Sequence, residues 1–547
     1  MRHLFLVGNM GAGKSTVGAL LARRLGRPFF DLDLVVEQTT HKTIPQIFAE
    51  EGEARFREME AHLLKQLAAH PTPSVIACGG GAILSEANRQ VMRQHGWIVY
   101  LKASVETLLS RIPDATTRPL LQPDPAEKLQ AIAAQREALY QQADWILPTD
   151  GKTPEQVVEP LARLIQPTPD APLTIPVLEG QPHAYTVFLA SGLRHALPQR
   201  LAEFGKPSQV VILSHPPLQQ WAEPIASALN QQGIPTHTLY VPSGERFKTL
   251  RLVERIHREM AQRGVDRHSG LVVVGGGVLG DVGGFVAATY MRGIPFFQVP
   301  TTLLAQVDSS VGGKVGVDLP EGKNLVGAFC QPQAVFIDPE ILTTLPARHW
   351  RNGFAEMLKY GIALHSGLWL RLKAMVAGGW LTPRRVRKTP DGWLLPIARC
   401  AQIKSAIVSA DERDTQGLRA LLNFGHTVGH AIERALNYRD WLHGEAIAAG
   451  MVAEAQIGVL MGITPGEILA ELKHTLQQAG LPVALPPVAP ETLLEAMRAD
   501  KKRVGAQFHI VLLKAVGEAE LVPNIPADAI LEALRRCAPP SHSAGLG

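Results

Sequence analysis

Leu4-Phe-Leu-Val7 runs directly into Gly8-Asn-Met-Gly-Ala-Gly-Lys14-Ser15, and an amphipathic segment follows as far as Leu25. The apolar run predicts a short buried strand and the amphipathic segment predicts a helix. The turn between them satisfies the G-x-x-x-x-G-K-[ST] pattern in the strand-turn-helix context that this pattern requires. Its backbone N–H groups can converge on phosphate oxygens at a helix N-terminus, while Lys14 neutralises phosphate charge and Ser15 ligates Mg²⁺. The stretch therefore predicts an α/β nucleotide-binding unit.

The composition limits the classes of function. The chain has 547 residues, several times the length of one domain, so more than one folded unit is expected. Lys and Arg outnumber Asp and Glu by only 54 to 50, which argues against a nucleic-acid or membrane partner. The four cysteines are far apart and form no C-x-x-C pair, as expected in a reducing compartment. Without a signal peptide or an apolar run of about 18 residues, a cytoplasmic location is expected.

A proline-rich stretch from Gln166 to Pro176 divides the sequence, with four prolines in eleven residues. Prolines exclude helix and favour a stiff, extended connector. Short apolar runs alternate with helical patterns on both sides of it, and Ala/Leu-rich segments follow from about Arg348. We predict a P-loop domain at 1–165, the connector at 166–176, an α/β subdomain at 177–345, a mainly α-helical subdomain at 346–540 and a tail at 541–547.

Further motifs in the first domain carry a resemblance to a known family. They are Asp31-Leu-Asp33, Glu51-Gly-Glu-Ala-Arg-Phe-Arg57 with Glu60, Gly79-Gly80-Gly81, Thr117-Arg118-Pro-Leu-Leu, and Arg136 followed by Tyr140. Together they resemble shikimate kinase over positions 1–165. The resemblance implies an α/β P-loop kinase domain, with a parallel sheet and helices on both faces, that uses ATP and Mg²⁺ to phosphorylate shikimate.

The same resemblance implies roles for individual residues. Asp33 would grip one ring hydroxyl and orient the attacking one, while Arg57 and Arg136 would clamp the substrate carboxylate. Arg118, on a lid, would contact both phosphate and substrate. The implied ATP contacts are Gly11, Gly13, Lys14, Ser15, Thr16 and Arg111, and Gly79, Gly80 and Gly81 would line the shikimate site. A kinase of the nucleoside-monophosphate type is the alternative, and it would lack one or more of these residues.

The second half contains another glycine-rich turn. Gly275-Gly-Gly-Val-Leu-Gly-Asp281 matches G-x-G-x-x-G after the apolar run Leu271–Val274, which is typical of a dinucleotide pyrophosphate site. The acidic residue expected about twenty positions later is missing, because the stretch 295–306 has neither Asp nor Glu. A structural glycine turn is therefore an even alternative on these residues alone.

Three histidines suggest a metal site. His426 and His430 are four residues apart on one predicted helical face, and His443 follows closely. Imidazoles in this spacing are typical zinc ligands, so spacing alone makes His426 and His430 the metal pair. Packed or exposed histidines are the alternative for any one of them.

A dense series of motifs over about 180–535 resembles 3-dehydroquinate synthase. It comprises Pro242-Ser-Gly-Glu245-Arg-Phe-Lys248, the Gly275–Asp281 turn, Tyr290-Met-Arg292-Gly, Pro300-Thr301-Thr302 through Asp308, Gly312-Gly-Lys314, Gly322-Lys323-Asn324, Ala355-Glu356-Met-Leu-Lys359, Arg419, Asn423-Phe-Gly-His426 and Asp500-Lys501-Lys502. The resemblance implies an α/β NAD-binding subdomain at 177–345 and a mainly α-helical metal-binding subdomain at 346–540.

This resemblance assigns cofactors and corrects the histidine pair. The metal, Zn²⁺ or Co²⁺, would be held by Glu356, His426 and His443, with His430 beside the reacting ring instead. An open Glu/His/His site suits catalysis rather than structure. The implied NAD⁺ contacts are Glu245, Lys248, Gly276, Gly277, Asp281, Thr301, Thr302, Asp308 and Lys323.

The implied substrate is 3-deoxy-D-arabino-heptulosonate 7-phosphate, which NAD⁺ would oxidise transiently before phosphate leaves and the ring closes as 3-dehydroquinate. The implied catalytic or substrate-binding residues are Lys314, Lys359, Lys404, Arg419, Asn324, Asn423 and His430, with Arg292 and Lys501 as further phosphate contacts. Arg292 would reach the site from a neighbouring subunit of a homodimer formed through the C-terminal half.

Some residues depart from the family pattern and leave alternatives open. Val315 and Asp318 replace the usual Thr and Asn after Gly-Gly-Lys, which puts fine substrate contacts in doubt. The alternatives are another sugar-phosphate cyclase, a glycerol-dehydrogenase-like oxidoreductase that releases NADH, and a scaffold whose sites bind without catalysis. The residues favour two active enzymes of aromatic biosynthesis in one chain, with small-molecule substrates as the partners.

Overall fold

A computed structural model describes residues 2–112, 119–121, 123–501 and 508–539, and it divides the chain into two compact units that meet after Gln166. Two predicted site residues fall outside this description: Arg118 entirely, and Lys501 for its side chain. In the described part of the chain, no helix is both long and apolar enough to span a membrane. None of the four cysteines forms a disulfide, and all four are among the described residues.

A five-stranded parallel sheet forms the centre of the first unit, in the order β2-β3-β1-β4-β5. Every residue of the first strand is buried, as its unbroken apolar run predicts. The glycine-rich turn follows this strand where the sheet order reverses, which is where open α/β sheets bind ligands. The strands are β1 (His3–Val7), β2 (Phe29–Asp31), β3 (Val75–Ala77), β4 (Gly96–Lys102) and β5 (Trp145–Pro148).

Eight helices accompany this sheet among the described residues. Two of them begin with a capping box, in which the hydroxyl of Thr43 or Thr153 and a glutamine three residues later satisfy the free backbone N–H groups. The helices are α1 (Lys14–Leu25), α2 (Leu32–Thr40), α3 (Ile44–Glu50), α4 (Gly52–Ala68), α5 (Glu86–His95), α6 (Val105–Ser110), α7 (Pro125–Tyr140) and α8 (Pro154–Ile165).

The second unit begins with a seven-stranded sheet in the order β6-β7-β14-β11-β10-β8-β9, parallel except for the antiparallel pair β6-β7. Two further pairs, β12-β13 and β15-β16, are antiparallel hairpins. The strands are β6 (Leu173–Val177), β7 (Tyr185–Leu189), β8 (Val210–Ser214), β9 (Thr236–Tyr240), β10 (Gly270–Gly275), β11 (Phe296–Pro300), β12 (Lys314–Leu319), β13 (Gly322–Phe329), β14 (Ala334–Ile337), β15 (Phe508–Ala515) and β16 (Glu518–Ile525).

The proline-rich stretch differs from the predicted connector. Its last residues form β6, in which Pro176 lies opposite Thr186 of β7. A proline lacks the N–H needed inside a sheet, but an edge strand tolerates it because one side of the strand has no partner. The stretch is extended only from Leu173 onward, because residues 168–171 form a turn. The composition also did not show that the extended part joins a sheet.

The second unit has helices beside its sheet, α9 to α12, and its later part is mainly helical, as predicted, apart from the β15-β16 hairpin. Helices α17 and α18 pack so closely that a Cβ on Gly450 would lie 2.1 Å from a backbone oxygen of α17's N-cap residue, Gly425. The helices are α9 (Leu197–Ala202), α10 (Gln219–Gln231), α11 (Leu250–Gln262), α12 (Gly277–Thr289), α13 (Ala347–Leu364), α14 (Ser366–Ala377), α15 (Pro383–Lys388), α16 (Leu394–Ala410), α17 (His426–Ala435), α18 (His443–Leu460), α19 (Gly466–Gln478), α20 (Pro490–Lys501) and α21 (Ala527–Cys537).

Candidate active sites in the two units

The turn between β1 and α1 has the backbone geometry of a phosphate-binding loop. Gly8, Gly11 and Gly13 have positive φ angles of 149°, 80° and 83°, and a Cβ at Gly11 would lie 2.6 Å from a backbone oxygen of α6. Such a turn needs glycine and directs successive N–H groups towards one space. Lys14 Nζ donates to the carbonyl oxygens of Gly8, at 2.9 Å, and Asn9, at 3.0 Å. The ammonium group is thereby held against the loop that would receive phosphates.

A cavity of about 410 Å³ opens from this turn. All six predicted ATP contacts line it: Gly11, Gly13, Lys14, Ser15, Thr16 and Arg111. The guanidinium of Arg111 donates to Thr149 Oγ1 at 3.1 Å and to the Thr149 carbonyl oxygen at 2.7 Å. These two bonds fix the guanidinium at the cavity wall, where the resemblance expects an adenine.

A second cavity, of about 490 Å³, adjoins the first and shares Ser15, Asp33 and Gly80 with it. Asp33 lies in the first turn of α2, where its N–H donates to Asp31 Oδ1 at 3.1 Å. A phosphate-accepting substrate in this second cavity would therefore lie next to the phosphates of a nucleotide in the first cavity. The predicted shikimate contacts that line it are Asp33, Arg57, Gly79, Gly80, Gly81 and Arg136.

Neighbouring side chains hold the two arginines of this cavity. Arg57 Nη1 donates to Glu60 Oε2 at 2.9 Å, and burial raises the pKa of the Glu60 carboxyl although Arg57 opposes the shift. Arg136 Nη1, at 2.9 Å, and the Tyr140 hydroxyl, at 2.7 Å, both donate to the Gly80 carbonyl oxygen. The two guanidinium groups are thus preorganised for an anion such as a carboxylate.

In the second unit, β10 ends at Gly275 and α12 begins at Gly277, as the glycine pattern predicted. Inside the first turns of α12, Asp281 Oδ2 accepts from Lys248 Nζ at 2.7 Å, and the same ammonium donates to Asn324 Oδ1 at 2.5 Å. Burial raises the pKa of Asp281 to about 6 although Lys248 lowers it. A polar cluster therefore lies beside the helix N-terminus, where a pyrophosphate would bind.

The other predicted NAD⁺ contacts surround the same turn. The Thr301 N–H donates to the last carbonyl of β10 at 2.9 Å. A Cβ on Gly276 would lie 3.0 Å from the methyl group of Thr302, so the backbone there is closely covered. Lys323 Nζ lies 3.1 Å from Glu245 Oε1. The structure thus brings loops and strands that are far apart in sequence to one helix terminus.

A buried charged network lies between these residues and the helical part. Asp308 Oδ1 accepts from the Tyr360 hydroxyl at 2.6 Å and from Lys404 Nζ at 2.8 Å. Burial raises the pKa of Asp308, but the charges of Lys404 and Lys359 outweigh it and lower the pKa to about 2. Lys359 Nζ also lies 2.5 Å from Glu356 Oε2. Buried lysines in such number indicate an anionic ligand.

Three helices bring Glu356, His426 and His443 together. Glu356 is fully buried in α13, while the two histidines are the first residues of α17 and α18. Glu356 Oε1 lies 3.5 Å from His426 Nε2 and 3.4 Å from His443 Nε2. Burial and the Lys359 charge lower the pKa of His426 to about 3. Burial lowers the pKa of His443 too, but Glu356 and Glu433 outweigh it and raise the pKa to about 10.

This group fits a zinc-sized cation. Tetrahedral zinc with ligands at about 2.0–2.1 Å places its ligand atoms roughly 3.4 Å apart, close to the separations between Glu356 and the two histidines. Both carboxylate oxygens of Glu356 are buried. Oε2 pairs with Lys359, whereas Oε1, which faces both histidines, has no hydrogen-bond partner among the described residues. A buried carboxylate oxygen that accepts no hydrogen bond is costly, and a cation held with the two histidines would satisfy it.

The other predicted substrate residues of the second unit differ in their exposure to solvent. Lys314 Nζ lies 2.7 Å from Asp414 Oδ2 in a half-exposed pair. Arg419 is buried and donates to the Glu412 carbonyl oxygen at 2.8 Å. The predicted substrate residues in exposed positions are Lys314, Asn324, Asn423, His430 and Arg292. Asn324 and Arg292 have positive φ angles of 55° and 67°.

Three buried polar residues beside the sites had no role assigned from the sequence: Glu60, which was quoted only as part of a motif, Tyr360 and Glu433. Glu433 lies seven residues after His426, so both belong to one face of α17. That helical periodicity could have identified Glu433 from the sequence. In the same way, the three-residue spacing from Arg57 could have identified Glu60 as a partner of that arginine. Tyr360 had no such signal, because only the fold brings it to Asp308.

Comparisons with known proteins match both units. The shikimate kinase family matches residues 10–166. The N-terminal and C-terminal domains of 3-dehydroquinate synthase match residues 238–352 and 353–503. The predicted fold class, two α/β units with a helical part in the second, is confirmed by these matches.

Related proteins resemble the second unit over almost their whole length. The 3-dehydroquinate synthase of Syntrophotalea carbinolica is 41% identical over 359 residues, which are 64% of this chain and 96% of that protein. The synthase of Nitrosomonas europaea is 38% identical, over 65% of this chain and 94% of its own. A 2-epi-5-epi-valiolone synthase from Streptomyces hygroscopicus, solved with NAD⁺ and Zn²⁺ bound, is 27% identical with a TM-score of 0.59, over 64% of this chain and 96% of its own.

The residues that match the two families lie in separate units, and each unit brings together residues that the sequence predicted for its own site. The resemblance stated from the sequence is therefore confirmed for both halves. Over its second unit the chain belongs to the 3-dehydroquinate synthase family, and its first unit is a shikimate kinase domain, so the protein is a fused enzyme of the shikimate pathway.

Proposed function

We propose that one unit phosphorylates shikimate with ATP and that the other converts 3-deoxy-D-arabino-heptulosonate 7-phosphate to 3-dehydroquinate and phosphate. One observation carries the proposal: each unit gathers, around its own phosphate-binding turn, the charged side chains that its reaction needs. In the first unit these side chains line two adjoining cavities. In the second unit a carboxylate and two imidazoles lie within one metal's reach.

In the kinase unit the chemistry is positioning and charge stabilisation. The turn and Lys14 would hold the β- and γ-phosphates, and Ser15 would ligate Mg²⁺. Asp33 would orient the acceptor hydroxyl and take its proton. Arg57 and Arg136 would hold the shikimate carboxylate, since their guanidinium groups already face the second cavity. Transfer then needs no covalent participation by the protein.

In the synthase unit the side chains would hold a polyanion beside NAD⁺. Bound NAD⁺ would accept and return a hydride, and bound Zn²⁺ or Co²⁺ would polarise the substrate's hydroxyl oxygen. Glu356, His426 and His443 would hold the metal, and the α12 N-terminus with Asp281 and Lys248 would hold the dinucleotide. The substrate's carboxylate and phosphate would be neutralised by the cationic groups Lys314, Lys359, Lys404 and Arg419.

Another sugar-phosphate cyclase is the nearest competing function for the second unit. The valiolone synthase shares its fold at 27% identity, whereas the 3-dehydroquinate synthases of two bacteria share 38% and 41%. The higher identity over nearly complete sequences supports dehydroquinate formation. A cytoplasmic homodimer, paired through the C-terminal half, is the further part of this proposal, and four unbridged cysteines support the reducing compartment.

Two point variants of the full chain test the proposal. Lys14→Ala should lower shikimate phosphorylation by more than about a hundredfold and spare the synthase, because it removes charge stabilisation from only one transition state. His426→Ala should do the reverse. The matched controls are Lys128→Ala and His474→Ala, which remove an exposed lysine and an exposed histidine. ATP-dependent phosphorylation that survives Lys14→Ala would end the kinase assignment, and dehydroquinate formation that survives His426→Ala would end the other.

A further inference from the structure

His443 lies between two buried carboxylates. Its Nε2 is 3.4 Å from Glu356 Oε1, and its Nδ1 is 3.5 Å from Glu433 Oε1. Glu433 is buried in α17, whereas Glu356 is buried in α13. The imidazole therefore presents one nitrogen to each carboxylate.

Among the described residues, two overlapping groups could hold a cation, and both include His443: one with Glu356 and His426, the other with His430 and Glu433. The first is the better metal site. The buried Oε1 of Glu356 has no hydrogen-bond partner among the described residues and lies within 3.5 Å of Nε2 of both histidines, while Oε2 pairs with Lys359. Glu433 Oε1 already accepts from Lys323 Nζ at 3.4 Å, and His430 is exposed.

The other metal-facing histidine shows the same arrangement. His426 Nε2 faces Glu356, while its Nδ1 lies 3.2 Å from the Phe424 carbonyl oxygen. Metal-bound histidines usually donate their second ring N–H to a carbonyl or carboxylate oxygen, which fixes the tautomer and the ring orientation. Phe424 supplies that acceptor for His426, and Glu433 is placed to supply it for His443.

We propose that Glu433 is a positioning residue for the metal: it accepts the Nδ1–H of His443 and so directs the Nε2 lone pair towards the cation. The inference rests on the proposed metal site of the synthase unit. Lys323 holds the same Glu433 oxygen, Oε1, and is itself held in place, because its ammonium also lies 3.1 Å from Glu245 Oε1 and 4.4 Å from the centre of the Tyr438 ring. The Glu433 carboxylate is therefore fixed by Lys323 and can accept the Nδ1–H of His443.

The test is Zn²⁺ affinity of the full chain, measured by competition with a chromophoric chelator. Loss of such a supporting acceptor typically weakens metal binding 10- to 100-fold, so Glu433→Ala should bind Zn²⁺ about 10- to 100-fold more weakly. Glu433→Gln should recover much of that loss, because its amide oxygen can still accept the N–H. Glu254→Gln is the control: it removes the charge of an exposed glutamate of α11 that pairs with Arg258, and it should leave Zn²⁺ affinity unchanged.

The absorption spectrum of the Co²⁺-loaded chain separates positioning from ligation. Glu433→Ala should retain the visible bands of the wild type at saturating Co²⁺, while Glu356→Ala should change them. Unchanged Zn²⁺ affinity in Glu433→Ala would overturn the inference, and so would altered Co²⁺ bands, which would make Glu433 a ligand. A wild-type chain that binds no Zn²⁺ would instead contradict the proposed function.

Discussion

The Gly81→Ala substitution offers a direct test of how the kinase unit would hold shikimate. Gly81 has φ −96°, which any residue can adopt, so alanine strains no backbone. A Cβ there would lie 2.3 Å from Arg57 Cζ and 2.3 to 2.4 Å from both terminal nitrogens. Ordinary contact begins at 3.4 Å, so the guanidinium must move by about 1 Å. The substitution therefore perturbs one predicted contact of the substrate carboxylate.

The size of the effect follows from the bond that is lost. A hydrogen bond to a charged group contributes about 1.5 to 3 kcal/mol, and a tenfold change corresponds to about 1.4 kcal/mol. We expect the KM for shikimate to rise roughly 10- to 150-fold. The KM for ATP should change less than about twofold, because Gly81 does not line the cavity bordered by the P-loop and Arg111.

The assay is ATP-dependent phosphorylation with shikimate varied, and synthase activity of the same preparation reports that the chain is folded. Arg57→Ala and the double variant complete a thermodynamic cycle. If Gly81→Ala acts through Arg57, it should add almost nothing in the Arg57→Ala background. An unchanged KM in the single variant, or a full additional effect in the double variant, would refute the reasoning.

Two other predictions concern pH and a surface ion pair. Burial lowers the pKa of His3, although its hydrogen bond to the His70 carbonyl opposes the shift. Near neutral pH and just below, the folded His3 therefore stays neutral where the unfolded histidine takes up a proton. The neutral His3 contributes its full stabilisation above about pH 6.5, and this contribution is lost as the pH falls below that value. His3→Asn, whose amide can still pair with the neighbouring backbone, should therefore lose less thermal stability than the wild type between about pH 7.5 and 5.5; an equal loss would show that His3 is not responsible. Asp414→Asn frees Lys314 from a half-exposed partner at 2.7 Å, and since such pairs contribute at most about 1 kcal/mol, the KM for the heptulosonate phosphate should fall by no more than about fivefold. A higher KM would mean that Asp414 assists the substrate rather than competing with it.

The site residues were predicted unevenly from the sequence. The turn ending in Lys14 could be assigned from spacing alone, because every residue that forms it is local and its glycines are required by the backbone. Spacing alone paired His426 with His430, and only the family resemblance replaced His430 by Glu356 and His443. The structure brings that second set together, because α17 and α18 both begin at a histidine and place it within 3.5 Å of Glu356 in α13.

Other features could not be predicted because their cause is not local. The β6 strand was missed since a proline at a sheet edge has the same local pattern as one in a linker. The β15-β16 hairpin was also missed, although its Gly517 adopts a positive φ of 85° at the turn. Lys404 was predicted through the family resemblance, but its contact with Asp308, and that of Tyr360, appear only once α13 and α16 pack.

By itself the sequence determined the division into two units, the phosphate-binding turn of the first and, through its motifs, the two enzyme families. These depend on short-range backbone geometry and on residue identity, which the chain carries directly. Only the tertiary structure decided which nitrogen of His443 faces Glu356. It alone also placed Glu433 beside the other nitrogen and Lys323 beside Glu433. Such contacts join helices and strands far apart in the chain, and their distances are set by how those elements pack.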